Sequence, residues 1–113
     1  MLVNRRTGKA IVSAVEVAST RASRRRGLLG RDALDGDAAL ILTPCCAVHT
    51  AFMRFAIDVV FVSRDGEVLR IVRDLPPWRA ACSPRAHAVV ELAAGTLGAR
   101  DLAVGDVVSS SGS

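Results

Sequence analysis

The chain has 113 residues, which is the length of one domain and enough to bury a core without a metal or a disulfide. Half of its residues are apolar, 23% are charged and the net charge is +4, while no apolar run reaches the roughly 18 residues that a membrane-spanning helix needs. These values exclude a transmembrane helix. They predict a single globular domain over residues 1–109 with a disordered tail over residues 110–113.

Seven segments predict short strands, because each is rich in Val, Ile, Leu or Ala and is bounded by turn residues. They are Ala10–Ala18, Ala38–Leu42, Val48–Met53, Ile57–Val62, Glu67–Val72, His87–Leu92 and Val107–Ser109. The strongest local signal is Asp65-Gly66 between two apolar runs, which predicts a tight hairpin. Pro76-Pro77 forbids regular structure and predicts a loop to about Ala86.

Two segments predict short helices. Ser23 is a suitable N-cap for a helix that runs to Gly30, and Ala93 to Leu102 is the second candidate. Strands do not alternate with long helices, so a doubly wound parallel sheet is not expected. The predicted class is α+β: a small β-rich domain with a curled or barrel-like, mostly antiparallel sheet of about seven short strands and two short helices.

The cysteines indicate the compartment. Cys45, Cys46 and Cys82 are odd in number, and Cys45 and Cys46 are adjacent, so they would pair with each other only under strain. No small-residue cleavage site follows the N-terminal segment. We therefore expect reduced thiols and a cytoplasmic protein.

Basic residues form one dense cluster, and all of its members are arginines. They are Arg21, Arg24, Arg25, Arg26 and Arg31. Elsewhere arginine alternates with acidic residues, whereas binders of duplex DNA usually carry a broader basic face. The expected role is a solvated helix face, with Arg24, Arg25 and Arg26 as the candidate anion site. Nucleic-acid binding is not favoured and, as a third hypothesis, would be weak.

Several short motifs occur together in one order along most of the chain. They are Arg26-Gly27-Leu28-Leu29-Gly30-Arg31, His49-Thr50-Ala51-Phe52-Met53-Arg54, Ile57-Asp58-Val59-Val60-Phe61, Asp65-Gly66, Cys82-Ser83-Pro84, Val90-Glu91-Leu92-Ala93-Ala94-Gly95-Thr96 and Leu102-Ala103-Val104-Gly105-Asp106-Val107-Val108. This ordered set resembles the domain of unknown function 192 family. The resemblance implies a compact β-rich fold and implies no reaction.

Asp58 is the leading single-residue candidate for a site. Strand alternation places it on one face with Val60 and Val62, so its carboxylate lies among apolar side chains. Such a carboxylate is costly unless it is paired or hydrogen-bonded. Either it caps backbone amides or pairs with Arg54, or it is a functional group with a perturbed pKa.

The thiols and imidazoles allow two further interpretations. Cys45, Cys46, His49, Cys82 and His87 are ligand types for zinc, but no Cys-x-x-Cys pair is present, so we predict no metal and no cofactor. A cysteine with His49 and Asp58 would supply the parts of a small hydrolase.

Trp78 is the chain's single tryptophan and stands in the proline loop. It could cover a sheet edge or form the lip of a pocket or an anchor for a partner. The leading hypothesis is a non-catalytic ligand-binding or protein-interaction domain, monomeric or weakly dimeric, with a pocket between the 49–58 segment and the 76–87 loop. Its predicted binding residues are His49, Thr50, Met53, Arg54, Asp58, Trp78 and Cys82. The alternative is a small hydrolase using Asp58, His49 and a cysteine such as Cys82.

Overall fold

The computed structural model describes residues 1–110, which contain ten strands, one α-helix and one 3₁₀ turn. The strands are β1 (Leu2–Asn4), β2 (Ala10–Val12), β3 (Ala14–Ala18), β4 (Ala38–Leu42), β5 (Ala47–His49), β6 (Ile57–Val62), β7 (Val68–Leu75), β8 (Ala80–Cys82), β9 (Ala88–Ala93) and β10 (Val108–Ser110). The helix α1 spans Arg21–Arg26, and the 3₁₀ turn spans Leu97–Ala99. Neither is long and apolar enough to cross a membrane.

The strands form three sheets. The largest has the order β3-β4-β9-β6-β7; its β3–β4 pair is parallel and its other pairs are antiparallel. A three-stranded antiparallel sheet has the order β10-β1-β2, and β5 pairs with β8 antiparallel. The β-rich expectation is confirmed.

The barrel-like expectation is wrong: within residues 1–110 the large sheet is open and mixed. The reason lies in its central strands. Every residue of β6 is buried, as is every residue of β9 except the last, so this sheet is covered on both faces, whereas a barrel buries one inner face.

Two apolar clusters cover the two faces. One contains Val60, Val62, Val90 and Leu92, and the other contains Ile57, Val59, Phe61 and Val89. Alternation along β6 and β9 divides these side chains between the clusters. An acidic residue in either strand is therefore placed inside one of the clusters.

The predicted hairpin is confirmed. The Gly66 amide donates to the Ser63 carbonyl (3.0 Å), and the Ser63 amide donates to the Glu67 carbonyl (2.9 Å), closing the turn between β6 and β7. Gly66 has φ +90°, and a Cβ there would collide with the carbonyl oxygen of Val108. Only glycine satisfies both requirements.

The helices differ from expectation. The first begins earlier, because Thr20 rather than Ser23 is the N-cap, and it ends at Gly27 with φ +47°. The second reduces to the 3₁₀ turn, because β9 continues to Ala93 and Gly95 takes φ +90°. Residues 1–110 therefore contain less helix than the α+β prediction expects.

The predicted strand boundaries also shift. Ser13 divides the first predicted strand, and its hydroxyl and amide bind the Asp37 carboxylate. The predicted 76–86 loop contains β8, and β1 lies outside all predicted strands. Of the tail, Ser110 belongs to β10, and residues 111–113 lie outside the described residues.

Candidate functional site

Glu91 is an acidic side chain in the central strand of the large sheet. Strand β9 runs between β4 and β6, and Glu91 lies opposite Leu40 on one side and Val59 on the other. Both neighbours are buried, and Glu91 itself is only 3% exposed. Its Oε1 has no hydrogen-bond partner in residues 1–110. A buried carboxylate without a partner carries the full cost of lost hydration.

Burial raises the pKa of Glu91 from 4.5 to about 7, and the positive charge of Arg31 opposes part of this rise. Arg31 itself is paired with Glu16 (2.7 Å between Nη2 and Oε2), so its charge is shared. Near neutral pH the Glu91 carboxyl can therefore either donate or accept a proton in a hydrogen bond.

A cavity of about 120 Å³ opens beside Glu91. Its walls are mostly apolar and come from four parts of the chain: α1 with the turn after it, strand β4, the segment around β5 and strand β9. The lining includes Gly27, Leu28, Leu29, Leu42, Cys45, Ala47, Val48, His49, Met53 and Glu91, together with Arg24, Arg25 and Arg26. A carboxyl group in a mostly apolar wall is the kind of polar group that orients a small ligand.

The turn after α1 brings backbone close to the carboxylate. Gly27 ends the helix, and a Cβ on it would lie 3.8 Å from Oε1 of Glu91 and 4.0 Å from Leu42. Because its φ is +47°, any other residue would be strained there. The glycine thus allows the chain to turn over Glu91.

Arginines supply positive charge to the cavity. Arg24 is held by backbone carbonyls, with Nη1 2.7 Å from the Ser19 oxygen. Arg25 and Arg26 are exposed, and no hydrogen bond or ion pair to another residue of the 1–110 range engages their side chains. All three lie in the last turn of α1, where the helix dipole favours cations.

Asp58 occupies the opposite face of the same sheet and is fully satisfied. It is 1% exposed; its Oδ1 accepts the Asp74 amide (2.9 Å) and its Oδ2 accepts the Leu97 amide (3.0 Å). These two bonds fix the end of β7 and the 3₁₀ turn onto β6. Of the two interpretations, the geometry matches the capping of backbone amides.

Residues 2–110 match the model of a family named DUF192 and described as an uncharacterized ACR. The chain belongs to this family. A crystal structure of a protein of unknown function from Novosphingobium aromaticivorans DSM 12444 has a TM-score of 0.74 at 24% identity, over 84% of this chain and 73% of that one. A putative transcription regulator from Sinorhizobium meliloti 1021 has a TM-score of 0.83 at 22% identity, over 96% and 88%. At these identities the likeness shows the fold alone, and no curated protein matches.

In this DUF192 chain the residues predicted for binding do not converge on one point. His49 and Met53 line the cavity beside Glu91, whereas no residue of the 76–87 loop does. Arg54 forms an exposed ion pair with Asp32, and Cys82 is exposed with its carbonyl bonded to Arg70.

In the described residues no hydrogen bond joins the parts of the predicted hydrolase. His49 and Cys82 lie on facing strands of the β5–β8 pair, but no hydrogen bond in the described chain joins either to Asp58, whose two oxygens are occupied by amides. Within residues 1–110 no group of three or more His, Cys, Asp and Glu side chains could hold a metal ion.

Hydrogen bonds of Thr50 hold the loop that carries Trp78. Thr50 is fully buried, and its hydroxyl accepts the Arg79 amide (2.9 Å) and donates to the Pro76 carbonyl (2.6 Å). Trp78 is 60% exposed and contacts Phe52, with ring centroids 4.6 Å apart. Thr50 thus joins the two loops that carry an exposed aromatic pair.

Sequence reasoning missed Glu91. The signal that singled out Asp58, an acidic residue within an apolar strand, is equally present in Val89-Val90-Glu91-Leu92. Alternation along β9 places Glu91 with Val89, on the face opposite to Asp58.

Proposed function

We propose that this chain is a non-catalytic domain that binds a small molecule in the cavity beside Glu91. One observation carries the proposal: Glu91 lines a mostly apolar cavity, and the Oε1 of its buried carboxyl group has no hydrogen-bond partner in residues 1–110. A ligand that brings a hydrogen-bond donor to Oε1 would remove the cost of leaving this oxygen unpaired.

The size of the cavity limits the ligand. At about 120 Å³ it is smaller than pockets for drug-sized molecules, which measure about 300–1,000 Å³. The apolar walls from Leu28, Val48 and Met53 favour a short aliphatic body. We therefore expect a compact molecule with one donor group at its inner end.

The test is a chemical-shift titration of ¹⁵N-labelled protein with propionamide, 1-propanol and butylamine, three short probes that each carry a donor. The expected result is a set of shifts confined to the amides of Gly27, Leu28, Val48 and Glu91. Glu91→Leu should abolish these shifts, and the exposed control Glu67→Leu should retain them. Shifts that persist in Glu91→Leu, or the absence of localised shifts for all three probes, would refute the proposal.

A second candidate is self-association through the aromatic pair. Phe52 and Trp78 are 72% and 60% exposed, and both adopt positive φ, a strained conformation for large side chains. Large exposed aromatics are typical anchors of interfaces. If a second copy covers the pair, sedimentation should show a concentration-dependent dimer that Trp78→Ser removes; a monomer at all concentrations would exclude this candidate.

We also propose a cellular location and a domain extent for this chain. The free thiols of Cys45, Cys46 and Cys82 support a reducing compartment, which the cytoplasm provides. We treat residues 1–109 as one globular unit. Fractionation of cells that express the tagged chain tests the location, and a single cooperative unfolding transition tests the unit.

A further inference from the structure

We propose that the ligand of the Glu91 cavity is amphoteric: a cationic donor group reaches the Glu91 carboxylate, and an acidic group at the other end is held by Arg25 and Arg26. This inference rests on the proposed function above and specifies the chemical class of its ligand.

Glu91 is the acidic residue of the cavity lining. Glu91 lies between Leu40 and Val59, and neither cross-strand neighbour can supply a cation. Glu91 lines the cavity, and its buried Oε1 has no partner in residues 1–110. Among hydrogen-bond donors, an ammonium group supplies both the hydrogen bond that Oε1 lacks and a positive charge beside the carboxylate. Charge-assisted hydrogen bonds are about twice as strong as neutral ones.

Two exposed arginines supply positive charge to the cavity lining. Arg25 and Arg26 line the cavity and are exposed, so they lie at its mouth. No hydrogen bond or ion pair to another residue of the 1–110 range engages their side chains. Guanidinium groups without a partner bind carboxylate and phosphate groups well.

Apolar side chains line the cavity together with its charged groups. Leu28, Leu42 and Met53 belong to the same lining as Glu91 and the two arginines. A molecule with an amine and an acid joined by a short aliphatic chain matches this combination of surfaces. A purely cationic ligand would leave the arginines unused and bring like charge to the mouth, and a purely anionic one would place like charge against Glu91.

The experiment compares three probes of equal chain length by NMR titration: 4-aminobutyrate carries both charges, butylamine the cation and butyrate the anion. For the wild-type protein we expect 4-aminobutyrate to bind about three- to fivefold tighter than butylamine, the modest gain of an exposed ion pair. Butyrate should bind weakest.

Substitutions test which residues bind each end of the ligand. Arg25→Ala/Arg26→Ala should bind 4-aminobutyrate no better than butylamine, whereas Arg21→Ala/Arg64→Ala removes the same charge from exposed positions outside the cavity lining and should keep the preference. Glu91→Gln should weaken both amines and keep the neutral probe propionamide, because the glutamine carbonyl still accepts a hydrogen bond.

The possible results distinguish a failure of the amphoteric ligand class from a failure of the proposed binding function. Equal binding of butylamine and 4-aminobutyrate, or butyrate binding as tightly as 4-aminobutyrate, overturns the amphoteric class. If only the neutral probes bind at Glu91, the class is wrong and the cavity remains a binding site. If no probe binds, both proposals fail.

Discussion

Glu91→Gln removes one buried ionisable group and keeps its size, so its effect on stability should depend on pH. An unfolded glutamate ionises near 4.5, whereas burial raises the pKa of Glu91 to about 7 in the folded chain. Between these values the unfolded chain releases the proton and the folded chain keeps it. The free energy of unfolding therefore falls as pH rises, and Glu91 is least costly below 4.5.

The size of the effect follows from the two pKa values. One pKa unit corresponds to about 1.4 kcal/mol, so the wild-type protein should lose about 3 kcal/mol through Glu91 between pH 4.5 and pH 7 or just above. Glutamine does not titrate. The unfolding free energy of Glu91→Gln minus that of wild type should therefore rise by about 3 kcal/mol over this range and then stay constant.

Urea denaturation from pH 4.5 to 8.5 measures this difference, and Glu67→Gln is the matched control because Glu67 is exposed. The control difference should stay nearly constant over the same range. A flat difference for Glu91→Gln would refute the reasoning, since it would mean that Glu91 is hydrated or paired in the folded protein.

Three further substitutions test other parts of the structure by urea denaturation. Asp58→Asn should cost about 2–3 kcal/mol, because asparagine cannot accept both backbone amides that the carboxylate accepts; a loss below 0.5 kcal/mol would contradict this role. Gly66→Ala should cost about 2 kcal/mol or more through positive φ and the collision with Val108, and unchanged stability would contradict the hairpin geometry. Bonds from Arg6 hold the pKa of Asp106 well below its usual 3.8, so Asp106→Asn should destabilise the protein at neutral pH and progressively less as pH falls below 3.8; a deficit independent of pH would count against this pairing.

The local features of the fold were predictable where one residue type decides the geometry. Asp65-Gly66 indicated the hairpin, because a tight turn needs a residue that tolerates positive φ. The face of Asp58 followed from the period of a strand. The bonds of Asp58 did not follow, because their donors come from residues 74 and 97, distant in sequence.

The order and direction of the strands were harder to predict from the sequence than these local features. The parallel β3–β4 pair depends on a crossover from residue 18 to residue 38 through α1, and periodicity does not report parallel direction. The strand after Pro76-Pro77 was missed because β8 has only three residues and is stabilised by pairing with β5. Tertiary pairing overrode a weak local preference there.

The candidate site at Glu91 could not be predicted from the sequence. Its position within an apolar strand was visible in the sequence, but an unpaired carboxylate differs from a paired one only through its neighbours. Asp58 and Glu91 have the same local pattern on opposite faces of one sheet. One meets two backbone amides, and the other meets a cavity.

A ligand with an ammonium group should complete the buried Glu91 carboxylate, whose Oε1 has no partner in residues 1–110. The most direct measurement is an NMR titration of the ¹³Cδ resonance of Glu91 with pH, without and with 4-aminobutyrate. We expect a pKa of about 7 for Glu91 in the free protein and a lower pKa in the presence of 4-aminobutyrate, because an ammonium group favours the ionised form. An ordinary glutamate pKa in the free protein, or a raised pKa that 4-aminobutyrate leaves unchanged, would contradict it.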